Sequence, residues 1–167
     1  MRKAFIALGV VIAALLIAFI TFNQQPKYAD VSMPKADYTH LQESRTNIKR
    51  LIDDLSKFNY KKDSTMAAIE KDAKIIANEN SKDLSSSDAQ TLRDALYGQN
   101  GIVTIVKAAQ TGKYNIDASV ASRFHTGFDS IITMSVNAIN KSSAQRANIV
   151  TQMKKDLNIE EAIYQIG

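Results

Sequence analysis

Cysteine is absent from the 167 residues of this chain, and histidine occurs only twice. Without cysteine there are no disulfide bonds, thiolate zinc sites, iron–sulfur clusters or cysteine nucleophiles. Two histidines cannot supply a three-histidine metal site from one chain. Two prolines and six glycines are too few for a turn-rich β-sandwich. The composition therefore favours a helical protein that lacks cysteine chemistry.

An excess of charge of one sign is also missing from most of the chain. The formal net charge is +4, but Arg2 and Lys3 are the only charged residues before residue 27. Without these two, 19 basic and 17 acidic residues remain, which leaves a net charge of +2. A nucleic-acid-binding protein needs a surface on which basic residues cluster, whereas basic and acidic residues are interspersed along this chain. We therefore predict no nucleic-acid partner.

One long hydrophobic run is present near the N-terminus. Residues 4–22 read AFIALGVVIAALLIAFITF and contain no charged side chain. As a helix this run is about 28 Å long, close to the thickness of the hydrocarbon core of a bilayer. Arg2 and Lys3 precede it, which predicts a cytoplasmic N-terminus and a C-terminal region outside the membrane. We predict that residues 1–22 are a single-pass signal anchor in the cell membrane.

A cleaved signal peptide is the alternative interpretation of this segment. Signal peptides have apolar cores of about 7–15 residues and a small-x-small cleavage site. The run here is longer, and residues 19–26, FITFNQQP, contain no such site. Within the run Gly9 and Ala13 are four residues apart, a spacing at which small residues let two membrane helices approach closely. This pair is a candidate dimer face, although the oligomeric state stays open.

The region after the anchor begins with a polar segment. Residues 23–36, NQQPKYADVSMPKA, hold both prolines of the chain and predict an extended tether. Residues 37–167 then repeat apolar side chains at steps of three and four, which is typical of packed helices. The predicted fold class is therefore all-α: a transmembrane helix, a tether and an extracytoplasmic helical bundle.

Local patterns place several helices within this bundle. The first apolar stripe comprises Tyr38, Leu41, Ile48, Leu51, Ile52, Leu55 and Phe58. Ser87 with Gln90 and Ser142 with Gln145 have the spacing of capping boxes at helix starts. Residues 102–106, IVTIV, fit either a helix or a strand. We predict a short buried helix there, because the chain offers no second strand to pair with it.

The sequence contains no recognisable constellation for catalysis. His125 and Asp129, four residues apart, are the best candidate for a polarised imidazole. Two ligands are fewer than a zinc site needs, and phosphate-binding loops and nucleophile elbows are missing. We predict no catalytic residue, no metal ion and no cofactor.

The densest basic cluster is the candidate interaction site. It comprises Lys49, Arg50, Lys57, Lys61 and Lys62. Three neighbouring aspartates compensate part of its charge. Such a cluster is suited to an anionic polymer of the cell envelope or to lipid head groups.

These features favour a non-catalytic binding or scaffold protein that is anchored in a bacterial cell membrane. Its partners would be the lipid bilayer and a protein complex or wall polymer of the envelope. The layout is also similar to that of phage inner-membrane spanins and anchored superinfection-exclusion proteins, although the broken helices depart from the long coiled coil of a spanin. A lytic enzyme of the cell wall is a minor alternative, because it would need a buried carboxylate in a cleft.

Overall fold

The computed structural model describes residues 25–112 and 118–164. The predicted anchor, residues 1–22, and its candidate dimer face at Gly9 and Ala13 lie outside the described residues. Within the two described ranges, no helix has both the length and the apolar character needed to cross a membrane.

The described chain is mostly helical, which confirms the all-α class. A short hairpin comes first, with strands β1 (Lys27–Tyr28) and β2 (Val31–Ser32). The helices follow as α1 (Lys35–Leu55), α2 (Asp63–Ile75), α3 (Ser86–Tyr97), α4 (Ile102–Gln110), α5 (Ala118–Asn137), α6 (Ser143–Asp156) and α7 (Ile159–Tyr164). A π-helical turn over Ile76–Asn80 extends α2.

The hairpin differs from the extended tether that we predicted for residues 23–36. Tyr28 pairs with Val31, and the Met33 N–H donates to the Pro26 carbonyl at 3.0 Å. Ala29 and Asp30 have φ angles of 50° and 60°, which suit a two-residue hairpin turn. The side chains of Tyr28, Val31 and Met33 are buried, because they complete the core of the helical domain. From residue 25 onward this segment therefore belongs to the domain.

One core joins the hairpin to all the helices. The predicted stripe of α1 faces it, with Leu41, Ile48 and Leu51 fully buried. The residues 102–106 lie in α4, so the helix prediction is confirmed. Gly101 permits the tight turn before α4, since a Cβ there would lie 2.6 Å from the Leu96 carbonyl carbon.

The predicted helix caps are right at one serine and wrong at another. Ser142 and Gln145 form the expected capping box at the start of α6. The cap of α3 is Ser85 rather than Ser87, because the Ser85 hydroxyl accepts the Asp88 N–H at 3.1 Å. Three consecutive serines, residues 85–87, give the same local signal, so the sequence pattern alone does not select the capping residue.

Candidate functional site

The five residues of the predicted basic cluster fall into two groups. Lys49 lies 3.1 and 3.2 Å from the carboxylate oxygens of Asp53, and Arg50 donates to Asn47 Oδ1 at 2.8 Å, all on α1. Lys57, Lys61 and Lys62 lie instead on the exposed loop between α1 and α2. None of the ion pairs in the described ranges includes these three lysines.

An exposed tyrosine accompanies the three loop lysines. Tyr60 is 60 % exposed, and Lys61 Nζ lies 5.4 Å from the centroid of its ring. The Asp63 carboxylate accepts from Gln110 Nε2 of α4 at 2.9 Å and forms no ion pair within the described ranges. We call the exposed group of Lys57, Tyr60, Lys61 and Lys62 the basic tip.

The backbone that carries the basic tip is held by side-chain hydrogen bonds. The Thr65 hydroxyl accepts the Asn59 N–H at 3.1 Å and lies 2.8 Å from the Lys62 carbonyl oxygen. Asn59 Oδ1 accepts the Lys61 N–H at 2.9 Å, and Phe58 packs against the core. These contacts fix the loop before any partner binds, which lowers the entropy cost of binding.

The basic tip and the N-terminal hairpin lie at opposite ends of α1. Pro26 is hydrogen-bonded to Met33, directly before the start of α1 at Lys35. The helix has 21 residues, so its two ends are about 30 Å apart. The tip and the hairpin are therefore separate surfaces of the domain.

A hydrogen-bonded cluster fastens the hairpin to α1 and α6. Tyr28 Oη donates to Asp156 Oδ2 at 2.7 Å, Arg45 lies 3.2 Å from the same oxygen, and Gln152 donates to Oδ1 at 2.7 Å. Burial and the hydrogen bond to Asp156 raise the pKa of Tyr28. Burial also acts to raise the pKa of Asp156, but the three hydrogen bonds outweigh it and the pKa is lowered.

His125 lies in a cluster of charged groups that links α5, α6 and α7. Its Nε2 is 2.9 Å from Glu160 Oε1, and its Nδ1 is 3.6 Å from Asp129 Oδ2. Lys154 Nζ lies 2.7 Å from Asp129 Oδ1. Both ring nitrogens face carboxylates, so the imidazole is positioned as a link between helices. The described part of the chain holds no group of three or more potential ligands for a metal ion.

A buried polar network joins α1, the π-helical turn and α5. Asn80 Oδ1 accepts a hydrogen bond from Asn47 Nδ2 at 3.1 Å, and Asn80 Nδ2 donates one to Ser135 Oγ at 2.9 Å. His40 Nε2 donates to the Ser135 carbonyl at 2.9 Å, close to the buried Ser44. Each buried group bonds to another protein group, as a structural network requires.

An open cleft between α3 and α5 is the second candidate binding surface. It has a volume of about 430 Å³ and is lined by Asp94, Asn100, Ser122, Arg123 and Ser130, among others. No sequence motif marks these residues as a binding site. The one feature that sets Arg123 apart is that it is one of few charged residues in a largely uncharged stretch of the chain.

No protein-family model, curated protein or solved structure matches this chain.

Proposed function

We propose that this chain is a membrane-anchored, non-catalytic binding protein of the cell envelope. Residues 4–22 hold it in the cytoplasmic membrane, and the helical domain lies outside. The basic tip binds an anionic polymer of the cell wall. The observation that carries this proposal is the group of three lysines at the tip, which have no acidic partner in the described residues.

The position of the tip favours the wall over the protein's own membrane. Pro26 follows Phe22 by four residues, and a chain segment of that length reaches at most about 14 Å. The hairpin therefore lies close to the bilayer, whereas the tip is one length of α1 away from the hairpin. In the proposed arrangement, α1 points away from the membrane and carries the basic tip to the wall.

The chemistry of the tip suits a polyanion. Ammonium groups attract phosphate and carboxylate as point charges and need no fixed geometry. Tyr60 adds a flat amphipathic ring, a residue type that is enriched where proteins bind other molecules. Each lysine beside an anionic surface contributes about 1 kcal/mol, so three give about a hundredfold in affinity.

A sedimentation assay with purified cell walls tests the proposal. The full chain in detergent micelles is mixed with walls, and the bound fraction is measured. The triple variant Lys57→Gln, Lys61→Gln, Lys62→Gln should bind about a hundredfold more weakly. The matched control Lys27→Gln, Lys74→Gln, Lys155→Gln removes the same charge from exposed positions elsewhere and should bind like the unchanged chain.

Two further arms identify the anionic partner. Walls stripped of phosphate polymers show whether phosphate or carboxylate groups are bound. Vesicles with anionic lipids show whether a lipid surface binds equally well. Equal binding by both triple variants, or stronger binding to vesicles than to walls, would refute the wall as the partner of the tip.

The other functions considered have less support. The longest described helix has 21 residues, which is short for the coiled coil of a spanin. Asp72 is a buried carboxylate whose pKa is raised by burial, as a lytic acid would require. Among the described residues that line the cleft between α3 and α5, Asp72 is not present.

A further inference from the structure

The cleft between α3 and α5 is built over two small residues. Ala95 of α3 and Gly127 of α5 both line it. A Cβ at Gly127 would lie 3.1 Å from Ile102 Cγ1 and 3.6 Å from the Ala95 carbonyl oxygen. Its volume of about 430 Å³ is within the range of sites for small ligands.

The walls of the cleft carry unused hydrogen-bonding groups. The hydroxyls of Ser122 and Ser130 take part in no hydrogen bond within the described ranges. Arg123 donates to Asn100 Oδ1 at a long 3.4 Å, which leaves most of its five N–H groups free. Asp94 accepts from Gln90 at 2.8 Å and forms no ion pair in the described part of the chain.

The lining therefore presents one cation and one anion that are not paired with each other. Among the described residues that line the cleft, none is aromatic, so a sugar ring or a base finds no stacking surface there. The described lining residues of the cleft include no large apolar side chain, so a lipid chain finds little there to pack against. A cation and an anion that do not pair with each other, together with two serine hydroxyls in the same lining, match a ligand that itself carries both charges.

We propose that this cleft binds a short peptide with a free carboxylate and a free amine. Arg123 and the Asn100 amide bind the carboxylate, because a guanidinium presents two parallel N–H groups to it. Asp94 binds the ammonium group. Ser122 and Ser130 bind the peptide groups between them. This site shares no residue with the basic tip, and it stands whether or not the tip binds the wall.

An NMR titration of the full chain in detergent micelles tests the site. The probes are trialanine, its C-terminal amide and its N-acetyl form. Trialanine should shift the amide signals around Asp94, Arg123 and Ser130. Each blocked form should bind about tenfold more weakly or worse, since each loses one hydrogen-bonded charge.

Charge-changing variants show which residue meets which end of the peptide. Arg123→Gln should bind trialanine and its C-terminal amide equally weakly, because the partner of the carboxylate is gone. Asp94→Asn should do the same for trialanine and its N-acetyl form. Arg93→Gln, an exposed arginine on α3 outside the cleft lining, is the matched control and should bind as the unchanged chain does.

Three results would overturn the peptide site. The first is no shift in the cleft at saturating trialanine. The second is equal loss of binding in Arg93→Gln and Arg123→Gln. The third is a stronger shift of the same signals by diacetylchitobiose, which would make the ligand a sugar. The triple lysine variant of the basic tip should leave the titration unchanged, so failure of the tip and failure of the cleft are distinguishable.

Discussion

The hairpin and the basic tip use polar side chains in opposite ways. At the hairpin, the buried Tyr28 and the Arg45 side chain both bond to the Asp156 carboxylate. At the tip, Lys57 and Lys62 stand exposed on a loop that Asn59 and Thr65 hold in place. Polar groups that are bonded internally stabilise the fold, whereas rigidly held and unpaired groups are free to meet a partner.

The largest expected difference between the two regions is in stability. Met33 is fully buried in the hairpin, so Met33→Ala should lower the free energy of unfolding by about 2–5 kcal/mol. Tyr60→Ala at the tip should change it by less than about 0.5 kcal/mol. Urea unfolding of both variants, followed by circular dichroism, measures this contrast. If Met33→Ala lowers the free energy of unfolding as little as Tyr60→Ala does, the hairpin segment is not part of the core.

Removal of one hydroxyl from the hairpin cluster should have a smaller effect. Tyr28→Phe deletes the donor to Asp156 and keeps the ring in the core. We expect a loss of about 1 kcal/mol in the free energy of unfolding. Tyr97→Phe is the matched control, because its ring is partly exposed and no hydrogen bond of its hydroxyl is found in the described ranges. A larger loss in the control would contradict the role of the cluster.

The side-chain hydrogen bonds that hold the loop of the basic tip should affect wall binding more than the stability of the fold. Thr65→Val removes the hydroxyl that bonds around Asn59 and Lys62 but keeps the shape of the side chain. The freed loop should bind walls a few-fold more weakly, because ordering it on binding then costs entropy. Thr46→Val on the exposed face of α1 is the control. Unchanged wall binding by Thr65→Val would show that the loop needs no preorganisation.

Asp156 and Asp72 have pKa values shifted in opposite directions, so their contributions to the stability of the fold should depend on pH with opposite signs. The lowered pKa of Asp156 means that its contribution is present above about pH 4 and is lost as the pH falls through the folded-state pKa. The raised pKa of Asp72 means that its charged form costs stability at neutral pH, and protonation removes that cost. At pH 7, Asp156→Asn should therefore destabilise and Asp72→Asn should stabilise the fold. Both differences should shrink towards pH 3, and unfolding curves at the two pH values measure them.

The sequence predicted the helical class and most of the core from apolar spacing. Apolar spacing did not reveal the buried polar network, although its members Ser44 and Ser135 lie at apolar-stripe positions. Ser44 lies between Leu41 and Ile48, and Ser135 lies four residues after Ile131. Only the packing of α1, the π-helical turn and α5 shows that these polar positions face one another.

The candidate sites were predictable to different degrees. Local charge density pointed to the loop lysines, because these residues are neighbours along the chain. The same reasoning included Lys49 and Arg50, which the structure engages on α1 with Asp53 and Asn47. The cleft depends on Asp94 and Arg123, which lie on different helices. No local pattern brings such residues together, so only the fold identifies that site.

Photocrosslinking in living cells tests the role of the basic tip most directly. A benzophenone amino acid replaces Tyr60 in the full chain, and Tyr97, another exposed tyrosine, serves as the control position. After irradiation, we expect the chain to be covalently attached to wall polymer from position 60 and not from position 97. Crosslinking of position 60 to membrane lipid, or equal attachment from both positions, would contradict it.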